Sequence, residues 1–178
     1  MITYSHLLET GRLVVEALLA GGHLADLAPE SLRLTIDGQA YLLYIRDDPN
    51  WSAGLNHRRE KVLKVGRAYE DPSINALTLL HEIAHHLNGD VKRGGKPEGP
   101  DAQMRLLEVE IRAWQRATAL YWAAHGPVPA AALIDAAKAL ESYFGDLKSE
   151  AIACAIMIAM GQPVLVAEEE EWRDDSPF

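Results

Sequence analysis

Cysteine is almost missing from this chain: Cys154 stands alone among 178 residues. It has no partner for an internal disulfide, and it excludes a zinc site built from several cysteines. A reducing, cytoplasmic compartment fits this usage best. Long apolar runs are missing too. The longest, AIACAIMIAM from Ala151 to Met160, is half of the roughly 20 residues that cross a bilayer, so it reads as a buried helix and no membrane partner is expected. The opening MITYSHLLETGRL lacks the basic-then-apolar layout of a signal peptide. No basic stripe is present, which argues against nucleic acid as a partner. The formal net charge of -9 is uneven: Glu168 to Phe178 hold four Glu, two Asp and one Arg, a net of -5, which leaves -4 for the remainder. The sequence therefore divides into one domain over residues 1–167 and an acidic, solvated tail over 168–178.

What is present is a change of periodicity along the chain. A first helix is expected from Tyr4 to Ala20, ended by Gly21-Gly22. Leu32, Leu34 and Ile36 then alternate with Arg33 and Thr35, the period of a half-buried strand. Asp37-Gly38 is a strong hairpin signal. The return strand, Gln39–Arg46, is apolar on both faces and is expected to be central, and a third strand is read at Glu60–Gly66. From there the pattern is helical. Asp71-Pro72 supplies an N-cap and first position for a helix to about Asn88, where Gly89 offers a left-handed cap. GDVKRGGKPEGP reads as a loop. Asp101 is expected to cap a long helix through Ala124, followed by helices near Ala130–Phe144 and Leu147–Met160. The expected class is α+β, a small, mostly antiparallel sheet of about three strands packed on a helical bundle.

The chemistry lies in LHEIAHHLNGD, residues 80–90. His81 and His85 are one turn apart on the same helical face, so both imidazoles can reach one metal ion. Glu82 is rotated about 100° round the axis, close enough to accept a proton from water but poorly placed as a ligand. Zinc lowers the pKa of water towards 7, which gives that carboxylate a proton to take. At this composition H-E-x-x-H arises by chance about 2% of the time, so its context decides. Leu77, Leu80, Ile83, Ala84 and Leu87 surround the histidines, too apolar for a solvated face. His86 lies farther round, is expected to be exposed, and is left out of the metal set. Thr78, one turn before His81, is a candidate cleft residue.

A catalytic zinc takes three protein ligands and keeps one open position. A third histidine six residues after His85 is excluded, because Val91 stands there. The next helix offers Glu108 and Glu110, which are 200° apart, so only one can face the metal. Leu107, Ile111, Trp114, Thr118 and Tyr121 form the inward stripe, and Glu110 falls within it. Glu108 shares a face with Arg112 and Gln115 and should be wet. A carboxylate on an apolar face is costly unless paired or metal-bound, which favours Glu110 as third ligand. For the group that would stabilise an oxyanion, Tyr69, Tyr121, Tyr143 and His125 remain open alternatives.

LTLLHEIAHHLNGD, followed after a loop by EVEIRAW, resembles the zincins with a glutamate third ligand. Among them it is similar to the ImmA/IrrE-type metallopeptidases of bacteria and phages, whose next helix carries a pattern like E-x-E-A-N-x-F-A. Glu108, Glu110 and Trp114 match the two glutamates and the aromatic, whereas Ile111 and Arg112 replace the usual Ala-Asn. The resemblance spans roughly residues 46–121. It implies a zincin-like fold, one Zn2+ held by His81, His85 and Glu110, Glu82 as general base, and a protein or peptide substrate. The expected function is a zinc-dependent endopeptidase, with an extended substrate pairing to an exposed edge at either the Gln39–Arg46 or the Glu60–Gly66 strand. The alternative is a zinc-binding but non-catalytic regulatory or partner-binding module.

Overall fold

The computed structural model describes residues 3–45, 54–56, 62–65, 69–90 and 100–144. The elements are α1 (Tyr4–Ala20), β1 (Ala25–Ala28), β2 (Arg33–Ile36), β3 (Gln39–Ile45), β4 (Gly54–Asn56), β5 (Val62–Val65), α2 (Pro72–Leu87), α3 (Pro100–His125) and α4 (Ala130–Phe144). The α+β class expected from the sequence is the architecture observed. Thr3 caps α1 by accepting the His6 N–H. One stripe of that helix, with Val14, Ala17 and Leu18, is buried. At its end Gly21 meets α3 closely: a Cβ there would fall 2.2 Å from Cδ2 of Leu120.

β1, β2 and β3 form an antiparallel meander. The β2–β3 turn places Asp37 at φ 48° and Gly38 at φ 83°, the doubly left-handed turn that suits a right-twisted hairpin. β5 then pairs parallel to β3, and β4 pairs antiparallel to β5, giving the order β1-β2-β3-β5-β4. The sheet is thus small and mostly antiparallel, with two short strands, β1 and β4, beyond those read from the sequence. This order corrects the expected docking edges. β3 and β5 each have a neighbour on both sides, so neither is an edge; among the described strands the edges are β1 and β4.

α2 lies at the centre, packed against α1, α3, α4 and β5. Asp71 caps it, accepting the Ser73 N–H at 2.8 Å, with Pro72 next. From Ile74 to Leu80 it is buried nearly all round, as an almost wholly apolar helix must be. Each fully buried leucine here, such as Leu77 or Leu80, contributes about 1.5–3 kcal/mol. Asn75 is fully buried, yet its amide satisfies itself on the backbone of Tyr69, accepting from N–H and donating to C=O. α3 begins at Pro100, so Asp101, expected as the N-cap, sits inside the first turn. Proline tolerates that turn because its missing N–H has no intrahelical partner there. The expected helix Leu147–Met160, the 168–178 tail and the boundary at 167 lie outside the described residues. Among the described residues no helix is long and apolar enough to cross a membrane.

Candidate metal centre

α2 and α3 pack side by side and carry the site between them. The helical spacing that aligned His81 with His85 brings their Nε2 atoms to 3.2 Å. From α3, Oε2 of Glu110 lies 3.1 Å from Nε2 of His81 and 3.3 Å from Nε2 of His85. All three residues are buried. Glu110 therefore stands on the inward stripe, and Glu108 with Arg112 and Gln115 is exposed, as their spacing indicated. His86 is exposed, its ring edge-on to Tyr41.

The donor set suits a divalent cation. Two imidazole nitrogens and one carboxylate oxygen form a triangle with edges of 3.1, 3.3 and 3.2 Å. Tetrahedral coordination with bonds near 2.0–2.2 Å requires ligand separations of roughly 3.3–3.5 Å. Oε2 of Glu110 is close to both imidazoles but has hydrogen-bond geometry to neither, and it is buried without another partner. Buried groups that converge in this way need a positive charge among them, which a metal ion or a protonated imidazole supplies. His81, His85 and Glu110 could thus hold a metal ion.

Without a metal the three groups shift one another. Burial would push the Glu110 carboxyl up, but the facing imidazoles outweigh it and hold the group at about 2, so it is ionised at neutral pH. Burial lowers His81 and prevails over the neighbouring carboxylates. Burial would also lower His85, but Glu110, Asp90 and Glu82 together raise it. Glu82, one residue after His81, is 3% exposed and close enough for its charge to favour the protonated form of both histidines.

Two neighbours hold the histidines. The indole of Trp114 stacks on the His81 ring, with centroids 4.0 Å apart and planes 21° from parallel. Nδ1 of His85 faces Oδ2 of Asp90 at 3.1 Å. Asp90 had no place in the sequence reading. Its signal was the Gly-Asp pair directly after the motif helix, where a left-handed glycine turns the chain back on itself. Arg116 of α3 donates to the Leu87 carbonyl and to Oδ1 of Asn88, tying α3 to the end of the motif helix.

The four oxyanion candidates fare differently. The Tyr69 hydroxyl bonds Asp135 on α4. Tyr121 is about three turns, roughly 16 Å, along α3 from Glu110, packed against His125, whose ring bonds the Leu13 carbonyl on α1. The Tyr143 side chain lies outside the described residues. Thr78 is half-buried, with its hydroxyl turned back to the Ile74 carbonyl. None of the described candidates is brought against the triad by these bonds. No family model, curated protein or solved structure matches the chain.

Proposed function

We propose that the chain is a zinc-dependent endopeptidase, in which His81, His85 and Glu110 hold one Zn2+ and Glu82 is the general base. The observation that carries this reading is the convergence of His81 and His85 from α2 with Glu110 from α3, in a buried triangle of atoms 3.1–3.3 Å apart. Two neutral nitrogens and one carboxylate suit zinc, which also keeps a fourth position open in catalytic sites. When bound, the ion supplies Lewis-acid polarisation of a carbonyl and a more acidic water. The chain supplies the remainder. Glu82 takes the proton from the attacking water and passes it to the leaving amine. A peptide substrate would extend the sheet at β4, the edge strand that packs towards α2. The single cysteine suits a reducing, cytoplasmic setting.

The test is Glu82→Gln. The variant should retain about one zinc per chain, because glutamine leaves the ligands untouched, and should lose peptide cleavage by at least about 10²-fold. Cleavage at the wild-type rate would refute the assigned base.

One observation favours a second reading, a zinc held without catalysis. His81, Glu82, His85 and Glu110 are all 6% exposed or less, a degree of enclosure typical of structural sites, which are closed. In that case chelation lowers the melting temperature of the wild type, and no peptide in a mixed library is cleaved.

A further inference from the structure

We propose that Asp90 is the positioning residue of the site, holding His85 in the tautomer and orientation that direct its Nε2 lone pair at the metal. The inference rests on the metal-binding reading above and assigns a role to a residue outside the ligand set.

The placement starts in the backbone. α2 ends in a two-bond cap: Gly89 N–H donates to the His86 carbonyl at 3.0 Å and Asp90 N–H to the His85 carbonyl at 2.9 Å. This closure needs a left-handed residue, and Gly89 has φ 72°. The turn folds Asp90 back over the last helical turn, beside the residue whose carbonyl it has bonded. Its side chain then reaches the ring of the same residue, with Oδ2 3.1 Å from Nδ1 of His85. Asp90 thus grips His85 at both backbone and imidazole.

A carboxylate only accepts, so the proton between them sits on Nδ1. In the neutral ring Nε2 then carries the lone pair, and Nε2 is the atom that faces Glu110 and His81. The pair is dry: the side chains of His85 and Asp90 are 2% and 10% exposed. The other oxygen, Oδ1, faces the Arg112 guanidinium at 3.8 Å, which leaves Oδ2 to the ring. His81 has no such partner: its Nδ1 is buried without a hydrogen bond, and the face of Trp114 sets its plane instead. Polar orientation of the pair of histidines therefore enters through Asp90.

Asp90→Ala retains the backbone N–H that closes the helix, so the fold is preserved and a matching amide spectrum checks this. Two measurements follow. In metal-free protein at alkaline pH, two-bond proton–nitrogen correlation should show His85 as the Nδ1–H tautomer in the wild type, and shifted towards Nε2–H in Asp90→Ala. In chelator competition, zinc affinity should fall about 10–100-fold in Asp90→Ala. Asp90→Asn, which keeps an acceptor of the same shape, should recover most of that loss. A wild-type His85 found as Nε2–H, an unchanged tautomer and affinity in Asp90→Ala, or an Asp90→Asn as weak as Asp90→Ala would each overturn the proposal. A wild type with the Nδ1–H tautomer that binds no zinc would sink the metal reading and leave the Asp90–His85 contact standing.

Discussion

Two histidine–aspartate pairs, one at the β2–β3 hairpin and one at the end of α2, join the same atoms. His23 Nδ1 meets Asp37 Oδ2 at 2.9 Å, and His85 Nδ1 meets Asp90 Oδ2 at 3.1 Å. Each aspartate adjoins a glycine of positive φ, Gly38 in one case and Gly89 in the other. Their surroundings differ. The first pair is wet, with side chains 18% and 48% exposed; the second is 2% and 10% exposed. Asp37 also accepts the Leu24 N–H and donates its own N–H to the Leu24 carbonyl, so that corner fastens the hairpin to the segment leaving α1. Its other links are bonds to the backbone, and beyond these Asp37 feels only the more distant charge of His86. The second pair has an imidazole whose far nitrogen faces a second histidine and a buried glutamate. The same pairing thus fastens a hairpin at the surface and borders a buried triad in the interior, and what distinguishes them is what lies beyond the ring.

The largest test of that contrast is Glu110→Gln, which removes the charge at the interior corner and keeps its volume. Zinc retained through gel filtration should drop from about one per chain to a small fraction. Retention at the wild-type level would mean that Glu110 is no ligand. Without metal the same substitution should flatten the acid limb of stability. The folded Glu110 carboxyl lies at about 2, below its ordinary 4.5, so its contribution is present above 4.5 and lost as pH falls through about 2. His85 behaves oppositely. Its value is raised above 6.5, so its contribution is complete below 6.5 and fades as pH rises through the folded value. Urea titrations of metal-free protein at stepped pH should show both limbs, the acid one flattened in Glu110→Gln.

Next in size is Gly21→Ala. The new methyl would press on Leu120 just before the surface corner begins, and should cost about 1–3 kcal/mol in chemical unfolding, leaving zinc affinity unchanged. Gly89→Ala follows, at about 1–2 kcal/mol for a side chain in the left-handed region, but here zinc affinity should fall as well, because the turn that delivers Asp90 is disturbed. If the two glycine variants affected zinc equally, the separation of the corners would be wrong. The smallest effect is expected for Asp37→Asn. The Leu24 N–H and then His23 hold the Asp37 carboxyl below its ordinary 3.8, so its contribution is present above 3.8 and lost as pH falls further. The asparagine variant should lose this acid dependence and retain full zinc affinity.

Much of this could be read from the chain because it is local. The bounds of α1 and α4, the Asp71 cap and the Asp37-Gly38 turn each follow from a few adjacent residues. Glu110 was legible for another reason: a carboxylate among Leu107, Ile111 and Trp114 conflicts with its face unless something compensates it. What escaped is short or non-local. β1 has only four residues and no alternating burial, and β4 has three. The two-faced apolar pattern of β3 marks it as central, but its parallel pairing with β5 depends on the path between them and leaves no mark in the pattern of β5. Asp90 was hidden because its polar neighbours read as loop. The residue's meaning came from the backbone turn before it.

The Trp114–His81 stack has a practical consequence. An indole 4.0 Å from the imidazole senses any change in that ring's charge, so emission from Trp114 is a built-in optical gauge of the site. Replacing Trp51, Trp122 and Trp172 by phenylalanine leaves it as the single tryptophan, and with excitation beyond the tyrosine band occupancy of the neighbouring ring becomes visible in a cuvette, with no substrate in hand.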